Sequence, residues 1–201
     1  GDLRTLGLKT FSHDRIPSLT PFWESATVPG IYFGGIATMG AVGLRKYGLG
    51  SLSGGVAGFR HNMRILALHL ARTYFGADVP RKELHPDEVV PFLTAEANGA
   101  PELWNQRAYL ARAVSVEPGG RIFDEGILPL QYFLDSSGPD AVAITVETDD
   151  RGEHRPAAYV RQQGAINEVV LPTDPLLRFD TPGHRARLAE ALKTLLPSGT
   201  L

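Results

Sequence analysis

The sequence predicts a mixed fold, an α/β segment over residues 1–76 followed by an α+β unit with an antiparallel sheet over residues 77–201. Three observations lead to this expectation. Residues 28–55 read as turn, short strand and glycine-rich loop, and they run into a helix-like stretch at residues 56–74. Residues 141–148 (AVAITVET) and 157–161 (AAYVR) flank a turn-rich segment, as the two arms of a β-hairpin do. Thr181-Pro182 then opens a closing helix, with leucines at Leu188, Leu192 and Leu195.

In chain order, residues 1–27 alternate short apolar pieces with turn formers such as His13-Asp14 and Pro17-Ser18. Residues 19–24 read as an extended approach to a central strand, and Trp23 as a core or interface aromatic. Pro29-Gly30 is turn chemistry, Ile31-Tyr32-Phe33 a short buried strand, and Gly34-Gly35 a place where backbone passes close to something. The helix follows, with Val56, Phe59, Met63, Leu66 and Leu70 as its apolar row, and Arg60, Arg64 and Arg72 on the other faces. Ser53 is placed to cap its first turn and Gly76 to end it in a left-handed conformation. The free amides and positive dipole at such a helix start attract a negative ligand group.

A boundary falls near Gly76, and residues 77–80 form a linker. Residues 87–93 suit a short helix with Asp87 and Glu88 early in it, closed by Asn98-Gly99. Residues 101–113 suit a second helix, while residues 109–116 read equally well as a strand. Residues 117–120 make a turn, residues 149–153 the hairpin turn with Gly152, and residues 166–171 a third strand; Pro197-Ser198-Gly199 ends the fold.

Composition narrows the function. With 201 residues, 43% hydrophobic and 21% charged, the chain has the make-up of one or two ordinary soluble domains. A net charge of -2 argues against a dedicated nucleic-acid binder. The absence of cysteine excludes a thiol nucleophile or disulfide framework within the chain, and fits a reducing, cytoplasmic compartment. Residues 25–44 lack charge, but Pro29 and five glycines mark a strand and loop rather than a membrane span. The six histidines show no helical metal-site spacing and read as solvated or locally bonded, so no metal site is expected. Asp87-Glu88, Asp124-Glu125 and Asp149-Asp150 fit helix starts and surface turns, no G-x-S-x-G elbow occurs, and no catalytic residue is assigned.

Residues 27–35, Thr-Val-Pro-Gly-Ile-Tyr-Phe-Gly-Gly, resemble the second flavin-contacting segment of flavoproteins with two dinucleotide-binding domains. These are the thioredoxin-reductase-like and flavin-monooxygenase-like oxidoreductases. Over residues 16–76 the chain is similar to bacterial FAD/NAD(P)-binding oxidoreductases with a GIYF-x-G strand, a GLRKYG-like loop and an SGGVAGFRHN-like helix start. The resemblance implies an incomplete FAD-binding, Rossmann-like lobe. Gly34, Gly35 and Ile36 would pass the FAD, and Gly54, Gly55 and Val56 would present backbone to the flavin. Ile36 stands where the thioredoxin-reductase branch has Asp, which removes a carboxylate contact and favours the monooxygenase-like side. Arg60, Asn62 and Lys46 are polar residues that could reach a flavin or nicotinamide phosphate, or simply form a solvated face.

No G-x-G-x-x-G turn for a pyrophosphate occurs. The chain therefore resembles the C-terminal portion of a longer flavoprotein. The implied partner is a complementary N-terminal flavin/NAD(P)-binding segment or subunit, with NAD(P)H as co-substrate. Apolar surface near Ile31 and Phe33 is then expected to need cover from that partner. The competing reading is a non-catalytic binding or assembly module in which the flavin-like segment is a relic.

Overall fold

Residues 141–148, read from the sequence as a strand, lie in one of the two central strands of a six-stranded antiparallel sheet. The computed structural model describes residues 3–41, 43 and 51–196. After a two-stranded ribbon of β1 (Thr10–Phe11) and β2 (Ile16–Pro17) come α1 (Val56–Phe75), β3 (Lys82–Leu84), α2 (Pro86–Gly99) and α3 (Pro101–Asn105). Then follow β4 (Leu110–Val116), β5 (Ile122–Pro129), α4 (Leu130–Asp135), β6 (Asp140–Thr148), β7 (His154–Gln162), β8 (Ala165–Val170) and α5 (Pro182–Leu192). The sheet order is β3-β5-β4-β6-β7-β8, so β4 and β6 are central and β3 and β8 are the edges.

The two faces of this sheet are built from different side chains. Alternation along each strand sends Val114, Ile122, Val142, Ile144, Val146 and Val160 to one face, where they meet Leu93 of α2, Leu103 of α3, and Leu188 and Leu192 of α5. The other face carries Ala111, Ala113, Ala141, Ala143 and Ala157, with Leu130 and Phe133 of α4 against them. Branched side chains thus hold the helices, whereas the alanines leave a face of low relief.

Local signals place many of these elements. Thr181 caps α5 by accepting from the His184 amide, and Pro182 follows at the first helical position. Leu188, Leu192 and Leu195 are all buried, as their spacing predicts. The 149–153 turn is fixed by Asp149, whose Oδ1 accepts from the amides of Arg151 and Glu153 at 2.9 Å each. Gly76 closes α1 at φ 60°, ψ 26°, a conformation that disfavours any side chain with a Cβ. The helix over residues 87–93 is longer than expected, reaching from Pro86 to Gly99 behind a reciprocal cap between His85 and Glu88. Residues 110–116 resolve as a strand and residues 101–105 as a helix, so both alternatives for that region hold in part.

Other expectations are corrected. Asp124-Glu125-Gly126 is not a surface turn but the interior of β5, where the pairing with β4 shifts between Ala113 and Val114 and leaves Glu125 as the extra residue. Residues 31–33 are not a strand: among the described residues only Tyr32 of the three forms a bridge, to Glu24, and no strand there offers them a continuous edge. Residues 19–24 are not extended but fold into a tight turn, in which the Trp23 amide donates to the Thr20 carbonyl and Trp23 takes φ 62°. The residues of the 44–50 loop, Lys46 included, and residues 197–199 lie outside the described residues.

Trp23 has no exposed surface, and its Nε1 donates to the hydroxyl of Tyr109 at 2.9 Å. It packs in a third cluster with Leu19, Ala41, Ile65, Leu66, Tyr109 and Leu110, so residues from both sides of Gly76 share this core. Phe33 packs on the same cluster, and both it and Ile31 are half-buried rather than open. Trp23→Ala should lower unfolding stability by about 3–5 kcal/mol through lost burial and the cavity left behind. Urea denaturation measures this, and a loss below about 1 kcal/mol would contradict the packing described.

Candidate functional site

The two glycine-bearing stretches singled out in the sequence pack on each other and on the N-terminal half of α1, with Gly34 and Gly35 against Met63, two turns into the helix. Residues 35–40 and 52–54 each form a short 3-10 turn, and both turns pack against the helix. What holds them is a buried polar network. Asn62 Nδ2 donates to Thr38 Oγ1 at 2.9 Å and to Ser53 Oγ at 3.0 Å. Gln106 Nε2 donates to Asn62 Oδ1 at 2.6 Å and to Ser53 Oγ at 3.1 Å. Thr38, Asn62 and Gln106 are fully buried and Ser53 nearly so.

This network corrects two sequence expectations. Ser53 does not cap α1; Gly55 occupies the cap position, without a side-chain hydrogen bond, and Ser53 is turned inward to the amides. Asn62 is not available to a ligand, because each of its polar atoms is occupied within the protein. Thr38 and Gln106 were not recognised from sequence. A polar residue in the buried stripe of a helix does demand a partner, but its identity lies outside the helix.

The expected apolar row holds in part: Leu66 is buried and Met63 and Leu70 pack against the third cluster, but the row does not hold at Val56. The buried stripe of α1 is Gly58, His61, Asn62, Ile65 and Leu66. Val56 is consequently 68% exposed, and Ile36, on the neighbouring turn, is 60% exposed. Leu52 and Met39 add exposed apolar surface on the same two turns. Gly35 is left-handed at φ 63°, and its amide donates to Met63 Sδ at 3.3 Å. A Cβ on Gly34 would come within 2.9 Å of the same sulfur. Gly54 faces open space, and a Cβ on Gly55 would meet only the Leu52 carbonyl, at 3.9 Å. No acidic residue occupies the first turn of α1 and Gly55 gives it no side-chain cap; the Gly58 amide donates to the Gly55 carbonyl at 3.0 Å, which leaves the amides of Val56 and Ala57 without a bond among the described residues.

One face further round, His61 is buried with its Nδ1 3.6 Å from Glu102 Oε1. Its Nε2 accepts from Arg60 Nε at 3.3 Å, which accounts for Arg60 as a neighbour of His61. His61 and His184 are thus buried and locally bonded rather than solvated. Burial pushes the His61 pKa below the ordinary histidine value; Glu102 opposes this, and Arg60 and Arg64 add to it.

Together these features describe a mixed α/β protein with an uncapped helix start, flanked by open glycines and exposed apolar side chains. Such a surface can accept an electron-rich, partly apolar group through backbone amides. Comparison with known proteins returns no matching family model, no matching curated protein and no matching solved structure. No helix among the described residues is long and apolar enough to cross a membrane.

Two outcomes follow from the network and the histidine. Gln106→Leu should destabilise by about 2–3 kcal/mol, since it strands the Asn62 carbonyl oxygen in the interior; chemical denaturation measures this. Because the folded-state pKa of His61 is depressed, the unfolded chain binds the proton first. Its contribution is therefore complete above the unfolded value of about 6.5 and is lost as pH falls from there through the folded value. Urea midpoints should drop on acidification across that window, and His61→Gln should flatten the drop.

Proposed function

We propose that this chain is the flavin-contacting C-terminal part, or subunit, of an FAD-dependent, NAD(P)H-linked oxidoreductase. The observation that supports this reading is that the turn bearing Gly35 and Ile36 packs on the turn bearing Gly54 and on the N-terminal half of α1, which opens with Gly55 and Val56. In the flavoprotein group that the sequence resembles, these two stretches serve a single cofactor. The residues present suit a flat, amphipathic group. Gly54 and Gly55 leave room for it, Ile36 and Val56 offer apolar contact, and the amides of Val56 and Ala57 offer hydrogen bonds.

The bound FAD would supply two-electron chemistry with NAD(P)H as reductant. The contribution of this chain is orientation and charge. Backbone donors and the positive end of α1 favour negative charge near them, and so favour the reduced over the oxidised form of a group held there. Ile36 offers no carboxylate to the cofactor side chain. The pyrophosphate turn would come from a complementary N-terminal segment or subunit, which would also cover the apolar side chains.

Gly35 is a poor place to test this, since its left-handed backbone penalises any substitution by about 1–2 kcal/mol irrespective of ligand. Gly54 and Gly55 are better, having φ in the ordinary range and space around them. After reconstitution with the complementary segment, the assembled protein should retain flavin absorbance. Gly54→Leu and Gly55→Val should remove that absorbance while leaving the thermal midpoint of the chain unchanged, and Arg187→Gln on α5 should alter neither. Full flavin occupancy in both glycine variants would overturn the reading. Stable assembly without flavin would favour the assembly-module alternative.

A further inference from the structure

The alanine face of the sheet is only partly covered. A groove with a cavity volume of about 820 Å³ opens there, between the C-terminal half of α1, α4 and residues 136–139. Ala113 and Ala141 form part of its floor, and Leu68 lines one side. An aromatic wall stands beside them. Phe22 stacks on His69 with ring centroids 4.1 Å apart and 4° between planes, and Tyr132 meets Phe22 at 4.7 Å.

At one end of this groove, whose lining also includes Arg72, Arg81 and Lys82, lies Arg161, only 5% exposed. Its Nη2 donates to the Phe133 carbonyl and, at 3.4 Å, to Ser136 Oγ, and its guanidinium lies 4.3 Å over the Phe133 ring. Its Nε is buried without a partner. Among the described residues no carboxylate pairs with it. Buried arginines are ordinarily compensated by an anion, because a desolvated guanidinium without a counter-charge is costly. A carbonyl at the end of a short helix needs only a neutral donor, so bonding to Phe133 does not explain the charge.

The acids around the groove are already engaged. Glu117 and Glu125 bind Arg81 at 2.7 and 2.8 Å, and Asp124 binds Arg112. Arg161 is therefore a buried charge left to be neutralised, with only its Nη2 bonded among the described residues. The chemistry of the walls limits the anion. A phosphate dianion would want several donors, whereas a carboxylate needs one or two donors and can carry an apolar body.

We propose that this groove binds a small carboxylate with an apolar body, its anionic end on Arg161 and its body along Leu68, Phe22 and Tyr132. The site lies beside the C-terminal half of α1, and it does not depend on the flavin reading of the opposite end.

The test uses the 201-residue chain with phenylbutyrate and decanoate as probes, and the neutral amide of each as its match. Binding is followed by calorimetry and by methyl NMR shifts of Ala113, Ala141 and Leu68. At least one carboxylate should saturate these shifts and bind about tenfold or more tightly than its amide. Arg161→Met should remove that preference, bringing the acid to the affinity of the amide while leaving the amide unchanged. Equal affinity of acid and amide would overturn the proposal, as would the lack of saturable shifts with both carboxylates or an unchanged preference in Arg161→Met. If that variant does not fold, the acid-to-amide ratio on the unaltered chain decides alone.

Discussion

Two primary amides, Asn62 and Gln106, are buried against each other, and much of the chain around them is arranged to satisfy their hydrogen-bonding groups. Asn62 belongs to α1, and Gln106 follows directly on α3 at the entrance to the sheet. Thr38 and Ser53 complete the set from the two 3-10 turns. Buried amides are tolerated only when nearly every donor and acceptor is paired, so four separate stretches are held in one relative arrangement. This explains how the 35–40 and 52–54 turns, which take no part in a sheet, are held in place. Their position derives from side chains anchored on α1 and α3, with Trp23 and Tyr109 adding a second tie.

The sheet imposes a different constraint. On its branched face, Val, Ile and Leu side chains interdigitate with three helices, which fixes α2, α3 and α5 against it. On the other face successive alanines give little to interdigitate with. Only six residues of α4 lie close there, and α1 stands off across the groove. The groove is therefore a consequence of side-chain size along β4 and β6. The same alternation that makes one face a core makes the other a site with room in it.

What could be read from the sequence follows the range of each interaction. The left-handed end of α1 at Gly76, the Thr181-Pro182 opening of α5 and the 149–153 turn depend on residues within a few positions, and each appears as expected. β5 was missed because Asp124-Glu125-Gly126 breaks its alternation; the bulge that accommodates those residues exists only once β4 is alongside. Ile31-Tyr32-Phe33 has strand composition but no strand to pair with among the described residues, so composition misled. At the candidate site, the glycine stretches were legible and their meeting at α1 was implied. The inward turn of Ser53 was not, because its partner Gln106 lies 53 positions away. Arg161 gave no signal at all, as an arginine at the end of AAYVR looks like an ordinary strand-end charge until the structure shows it buried.

The same reasoning accounts for the surface at the helix start. A period of three and four residues can be drawn through α1 along more than one stripe, and apolar content alone selected the one through Val56 and Met63. The protein instead buries the stripe through Gly58, Asn62 and Ile65. Two features decide in its favour. Gly58 has no side chain, and a Cβ there would lie 2.1 Å from the Leu52 carbonyl oxygen, so only this face lets the 52–54 turn approach. Asn62 then meets Thr38 and Ser53 where that approach brings them. With these contacts made, the helix cannot rotate to bury Val56 without breaking the amide network. The exposure of Val56 is thus set by the polar core beneath it, and the apolar surface beside the uncapped amides follows from how α1 is seated.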